Sequence, residues 1–158
     1  MKNKETVLPA PVLIVEDEAM IRSRLDLILS ELGYSQDMLI FAKNLAEAMQ
    51  IIASQPISLA LVDLGLPDGN GITLIEKLRG IDESALILVI SAWSTQQSLF
   101  ASIKAGANGY VLKERDDAEV LMSIRSILRG GAPIDPFIAR EILNQISTGA
   151  FIILSKWS

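Results

Sequence analysis

The chain contains neither cysteine nor histidine among its 158 residues. The first absence excludes disulfides and thiolate metal sites. The second removes the commonest general base and the usual zinc ligand. A bound metal would therefore be held by oxygen, which favours magnesium or calcium. Basic residues are in deficit, 14 Lys and Arg against 19 Asp and Glu, giving a formal charge of −5. That balance argues against a dominant nucleic-acid contact through this chain. Long apolar runs are lacking too: Met1 to Thr6 is polar and charged, and the run Ala85 to Ile90 is far too short to span a bilayer. The sequence thus reads as a soluble, cytoplasmic chain with no membrane partner, of a length for one domain and a short appendage.

What the chain does have is a regular alternation of short apolar runs and helical patterns. Val12 to Val15 reads as a buried strand. Ala19 to Leu32 carries Ile21, Leu25, Ile28, Leu29 and Leu32 at helical spacing, and Gly33 stops it as a C-terminal cap. A weaker strand is expected around Met38 to Phe41. Asn44 is placed to cap the next helix, with Glu47 as its capping-box partner, and that helix ends before Pro56. A third strand covers Ile57 to Val62 and ends on Asp63. Gly65 to Gly71 is a dense turn signal, followed by a helix over Ile72 to Arg79. Ala85 to Ile90 gives the fourth strand and Thr95 to Ala105 the fourth helix. Tyr110 to Leu112 is the fifth strand, and a helix from Asp116 or Asp117 runs to Arg129.

Five strand–helix repeats imply an α/β fold: a doubly wound five-stranded parallel sheet with helices on both faces. Residues 10–129 form this domain. Gly130, Gly131 and Pro133 mark a break, and residues 130–158 form a linker helix, Pro136 to Ile146, and a short tail that is apolar at Phe151 to Leu154.

In such a sheet, ligands sit at the carboxyl ends of the strands. Those ends carry Glu16-Asp17-Glu18, Asp63, Ser91 and Lys113. Taken singly, each is ordinary: an acidic pair after a strand is usually a helix cap, an aspartate a turn former, a lysine a solvated charge. Together they describe one crevice. Clustered carboxylates repel and raise each other's pKa, and a divalent cation such as magnesium resolves the conflict. A carboxylate beside such a metal can act as a nucleophile toward phosphorus, while a lysine and a hydroxyl steady the phosphoryl oxygens.

Four segments carry a family resemblance: Val12 to Glu18, Leu61 to Gly71, Val89 to Ala92 and Gly106 to Lys113. In residue type, order and spacing they resemble the receiver domain of two-component response regulators, over roughly Pro11 to Arg129. The resemblance implies the flavodoxin-like (βα)5 receiver fold, a Mg2+ cofactor, and a histidine kinase or phosphotransfer protein as partner. It implies that Asp63 is the phosphoacceptor, and that Glu16, Asp17, Asp63 and the Gly65 carbonyl hold the metal. Lys113 and Ser91 would serve the phosphoryl group, with Ser91 and Tyr110 as the switch pair and Ala92 as the small residue that admits it. Phosphorylation would draw Ser91 inward and let the Tyr110 ring pass from an exposed to a buried rotamer. The face of the fourth helix, fifth strand and fifth helix would change with it.

Two departures accompany the match. Glu114 stands where many members have a proline, which leaves a trans or a strained cis bond after Lys113. Trp93 lies two residues after Ser91, at the mouth of the crevice. The linker region resembles that of the LuxR-type branch, so transcription control is the expected output of a longer protein. DNA contact is then expected only through an output domain absent from this chain, and a homodimer through the helical faces is a further expectation. Rival readings fit less well. Aspartate-dependent phosphatases carry a second aspartate two residues after the nucleophile, where Gly65 stands. A cofactor binder would need a glycine-rich phosphate loop after the first strand. A degenerate scaffold would not keep the set Asp17, Asp63, Ser91 and Lys113. No enzymatic turnover of external substrates is expected.

Overall fold

Short runs of aliphatic residues build the sheet: β1 (Val12–Val15), β2 (Leu39–Ala42) and β3 (Leu59–Val62) come first. The computed structural model describes residues 7–147, so the expectation for the tail from residue 148 lies outside the described residues. After β3, the turn-rich segment folds into a two-residue hairpin, β4 (Gly65–Leu66) and β5 (Gly69–Asn70). The strands β6 (Leu86–Ser91) and β7 (Gly109–Leu112) complete a five-stranded parallel sheet in the order β2-β1-β3-β6-β7. The helices between them are α1 (Ala19–Glu31), α2 (Leu45–Ser54), α3 (Gly71–Ile81), α4 (Gln96–Ala105) and α5 (Asp117–Leu128). The doubly wound α/β expectation is met.

β1 and β3 are buried along their whole length, as central strands covered on both faces must be. Their side chains alternate between two apolar layers. Leu13, Val15, Ala60 and Val62 pack with Ile52 of α2, Leu74 of α3 and Leu99 of α4. Val12, Ile14, Leu59 and Leu61 pack with Leu25 and Ile28 of α1 and Ile124 of α5. The sheet thus holds all five carboxyl ends at one rim, in fixed register.

Helix ends follow local chemistry. Asn44 accepts the Glu47 amide at 2.8 Å, but the Glu47 side chain reaches the amide of Lys43 and not that of the cap residue. Asp68, in the tip of the hairpin, accepts the amides of Leu45 and Ala46 and so tethers the loop after β3 to the start of α2. Those two amides hold the Asp68 carboxyl below its usual range. Gly33 takes a φ of 111° just past α1, the left-handed position a helix stop requires. The third strand begins at Leu59, two residues later than expected, and α3 runs on to Ile81.

The C-terminal helix, α6, covers Pro136–Ser147. Periodicity predicts this helix without a location, and the structure docks it. Ile134 bridges Tyr110 in parallel fashion at the sheet edge, α6 packs on α4, and Ile138 is fully buried in the layer that holds Tyr110. Burying that one side chain contributes on the order of 2 kcal/mol to holding the segment in place. Among the described residues no helix is long and apolar enough to cross a membrane.

Candidate functional site

β1 ends one residue before Glu16 and β3 one residue before Asp63, and these strands pair in register from Val12–Leu59 to Val15–Val62. That register brings two carboxylates side by side at the rim. Glu16 and Asp63 are buried, while Asp17 is exposed at the mouth. One carboxylate oxygen from each of the three can lie within 4.8 Å of the others. Lys113, just past β7, reaches across with Nζ 3.0 Å from Asp63 Oδ2 and 3.0 Å from Glu16 Oε1. The Gly65 amide donates to the other Asp63 oxygen at 3.3 Å.

The electrostatics follow from burial. Desolvation pushes the Glu16 carboxyl up to about 7, and the Glu18 amide and Lys113 ammonium offset it only in part. Burial likewise raises Asp63, with Lys113 opposing. For Lys113 burial works against the charge, but hydrogen bonds to Asp63 and Glu16 outweigh it and its pKa is raised. With all groups ionised, three carboxylates against one ammonium leave two negative charges, the charge a divalent cation compensates. The donor set, all oxygen and including two buried carboxylates, fits a hard cation such as Mg2+.

The structure brings Glu16, Asp17, Asp63, Gly65 and Lys113 together at one rim, and Ser91 is buried at the end of neighbouring β6. The Ser91 hydroxyl oxygen accepts the Trp93 amide at 3.0 Å, and the same hydroxyl hydrogen-bonds the Tyr110 phenol. Ala92 is exposed. The expected resting position of Tyr110 needs correction. Its ring is already fully buried, and its hydroxyl donates to the Trp93 carbonyl at 2.7 Å. The ring is drawn in toward β6 and α4, where its hydroxyl meets the Trp93 carbonyl and the Ser91 and Ser98 side chains. The bond after Lys113 is trans, since the only cis peptide among the described residues joins Ala10 to Pro11.

Three contributors had no distinct sequence signal. Arg24 of α1 donates to the carbonyl of Lys113 at 2.8 Å, to the carbonyl of Arg115 and to the Asp117 carboxylate. It therefore pins the loop that carries Lys113, where the sequence has no proline to stiffen it. Gly71 allows close packing under Asp63, because a Cβ there would lie 2.3 Å from the Asp63 carbonyl oxygen. Asp68 anchors the hairpin from the other side. Arg24 is one charge on an amphipathic helix, and nothing local distinguishes it from Arg22. Asp68 and Gly71 sit in a turn whose composition alone explains them.

Trp93 stands 41% exposed, with its indole over Gly65: a Cβ on Gly65 would lie 3.2 Å from Cζ2 of the ring. Through its own amide and carbonyl, Trp93 links the Ser91 hydroxyl to the Tyr110 hydroxyl.

Comparison with known proteins matches residues 12–125 to the response regulator receiver domain model. The Fimbriae Z protein of Salmonella typhimurium is 29% identical over 88% of this chain and 64% of its own length. The transcriptional regulatory protein PhoP of Escherichia coli is 35% identical over 75% of this chain and 52% of its own. The chain therefore spans between half and two thirds of these relatives. Among solved structures, a LuxR-family two-component response regulator from Aurantimonas superposes with a TM-score of 0.73 at 27% identity, covering 88% of this chain and 99% of that one.

Proposed function

This chain belongs to the response regulator receiver domain family, and from that premise we propose that Asp63 is its phosphoacceptor. The observation that carries the reading is a buried aspartate with one oxygen on Lys113 and the other on a backbone amide, beside two further carboxylates. An Asp63 carboxylate oxygen attacks phosphorus, the bond from phosphorus to the donor's leaving group breaks, and a mixed anhydride forms on Asp63. The donor is a phosphohistidine of a kinase or phosphotransfer protein. Bound by Glu16, Asp17, Asp63 and the Gly65 carbonyl, Mg2+ would supply the positive charge that lets an anionic donor approach this acidic rim. Lys113 follows the charge as it moves, from the Asp63 oxygen to a phosphoryl oxygen. The Ser91 hydroxyl, on Tyr110 before transfer, turns to donate to another. Transfer onto Asp63 and hydrolysis of the product are the whole of the chemistry we assign.

Residues 10–129 act as the receiver and 130–158 as the connection to an output. Control of transcription by a longer protein, with DNA contact through a separate output domain, is the reading that the relatives favour. The test is direct. With acetyl phosphate and Mg2+, the wild-type chain should gain one labile phosphoryl group by intact mass, and Asp63→Asn should gain none. A labile adduct that persists in Asp63→Asn would refute the assignment.

Trp93 adds a quantitative expectation. Its indole roofs Gly65, two residues from the acceptor, a position from which it would shield the anhydride from water. Trp93→Ala should shorten the lifetime of the phosphorylated chain several-fold. An unchanged half-life would assign the ring to packing alone.

A further inference from the structure

The segment after α5 is tied to the switch strand by more than apolar contact. The Tyr110 amide donates to the Pro133 carbonyl and the Asp135 amide donates to the Tyr110 carbonyl, both at 2.9 Å. Residues 133–135 thus pair with β7 as an added strand would. Gly109 makes room for this approach, since a Cβ there would lie 2.8 Å from the Pro133 carbonyl oxygen. Asp135 is buried, and its carboxylate accepts Nε and Nη2 of Arg115 at 2.7 and 2.8 Å, together with the Phe137 amide at the start of α6. Two helical turns of α6 then lie on α4, with Ile138 buried and Ile142 packed beside it.

Tyr110 is therefore held at both ends. Its backbone is paired with the extension, and its hydroxyl meets both the Trp93 carbonyl and the Ser91 hydroxyl, which also accepts the Trp93 amide. We propose that residues 133–147 are the internal partner of the surface formed by α4 and β7, and that their docking favours the inward Tyr110 arrangement that phosphorylation of Asp63 favours. This rests on Asp63 being the acceptor. The two events share one structural state, so each strengthens the other by the same factor. Whatever is joined beyond α6 would sense the acceptor site as a change in how firmly α6 is seated. Self-association through the same surface requires α6 to leave it.

Hydrogen exchange on the full chain reads the docking, with magnesium and beryllofluoride as the probe of the acceptor site. The α6 amides from Ala139 to Leu143 should exchange about fivefold or more slowly when the probe is bound, a coupling within the usual allosteric range. By reciprocity, Asp135→Asn should need about fivefold or more beryllofluoride for half-saturation. Ile138→Ala should do the same by a different route, with thermal unfolding checking that both variants fold. Exchange in α6 that ignores the probe, in a chain that still takes a phosphoryl group from acetyl phosphate, would overturn the coupling and leave Asp63 as acceptor. Unaltered beryllofluoride binding in both folded variants would do so as well. Failure of both probe binding and adduct formation would remove the acceptor reading, and the coupling with it.

Discussion

Lys113→Met should slow phosphorylation of Asp63 by acetyl phosphate by about 10²-fold or more, the usual cost of removing one charge donor from a developing anionic centre. The ammonium is the one cation within 3.0 Å of both buried carboxylates among the described residues. It is held there by its main chain as well: the Lys113 amide donates to the Ser91 carbonyl and Arg24 takes the Lys113 carbonyl. Methionine keeps the length and apolar stem of the side chain, so the loop should keep its place. What is lost is a point charge that partners an Asp63 oxygen before transfer and a phosphoryl oxygen after it. Arginine would be a poor replacement, because its planar fork needs more room than a single ammonium between two carboxylates. The check is the rate of adduct formation by mass, at a temperature where circular dichroism shows the variant folded. A rate within threefold of wild type would mean that Lys113 serves the resting fold and not the transfer.

Gly71→Ala should cost about 2–3 kcal/mol of stability, at the upper end for overpacking a core position. Its Cβ would sit 2.3 Å from the Asp63 carbonyl oxygen, 3.0 Å from a Val62 methyl and 3.1 Å from the Leu64 Cα. Two of these neighbours are backbone, which cannot swing aside as a side chain tip can. The carbonyl belongs to the acceptor, so the displacement should slow phosphorylation as well as weaken the fold. Gly80→Ala is the matched control. It lies in the same helix, α3, and an added Cβ there meets nothing within 4 Å. Alanine at that position should stabilise by about 0.5–1 kcal/mol through helix propensity alone. Urea unfolding of the two variants should therefore move in opposite directions. A Gly71→Ala midpoint equal to wild type would show that the loop after β3 yields more easily than its packing implies.

The order of elements was legible because it depends on near neighbours. The runs at Val12 to Val15 and Leu59 to Val62 are apolar at every position, which suits strands covered on both faces. Asn44, Thr95 and Asp116 cap their helices through an amide three residues on, a relation visible in the sequence. The candidate site was legible for a related reason. A doubly wound sheet gathers the residues after its strands, so reading the strand ends was enough to collect Glu16, Asp63, Ser91 and Lys113.

The rest depends on contacts that no local pattern announces. Glu16 and Lys113 are 97 positions apart, and Arg24 reaches the same loop across 89. Which arginine of α1 does so is decided by how that helix lies against α5. The seat of α6 likewise depends on Ile138 entering the core and on Asp135 finding Arg115 across 20 positions, although the segment reads alone as one more amphipathic helix. The sequence by itself therefore determined the alternation of strands and helices and the identity of the acidic rim, because periodicity and capping act within a few residues. Only the tertiary structure decided the partners of Lys113, the inward Tyr110 and the seat of α6, because each arises where distant segments meet.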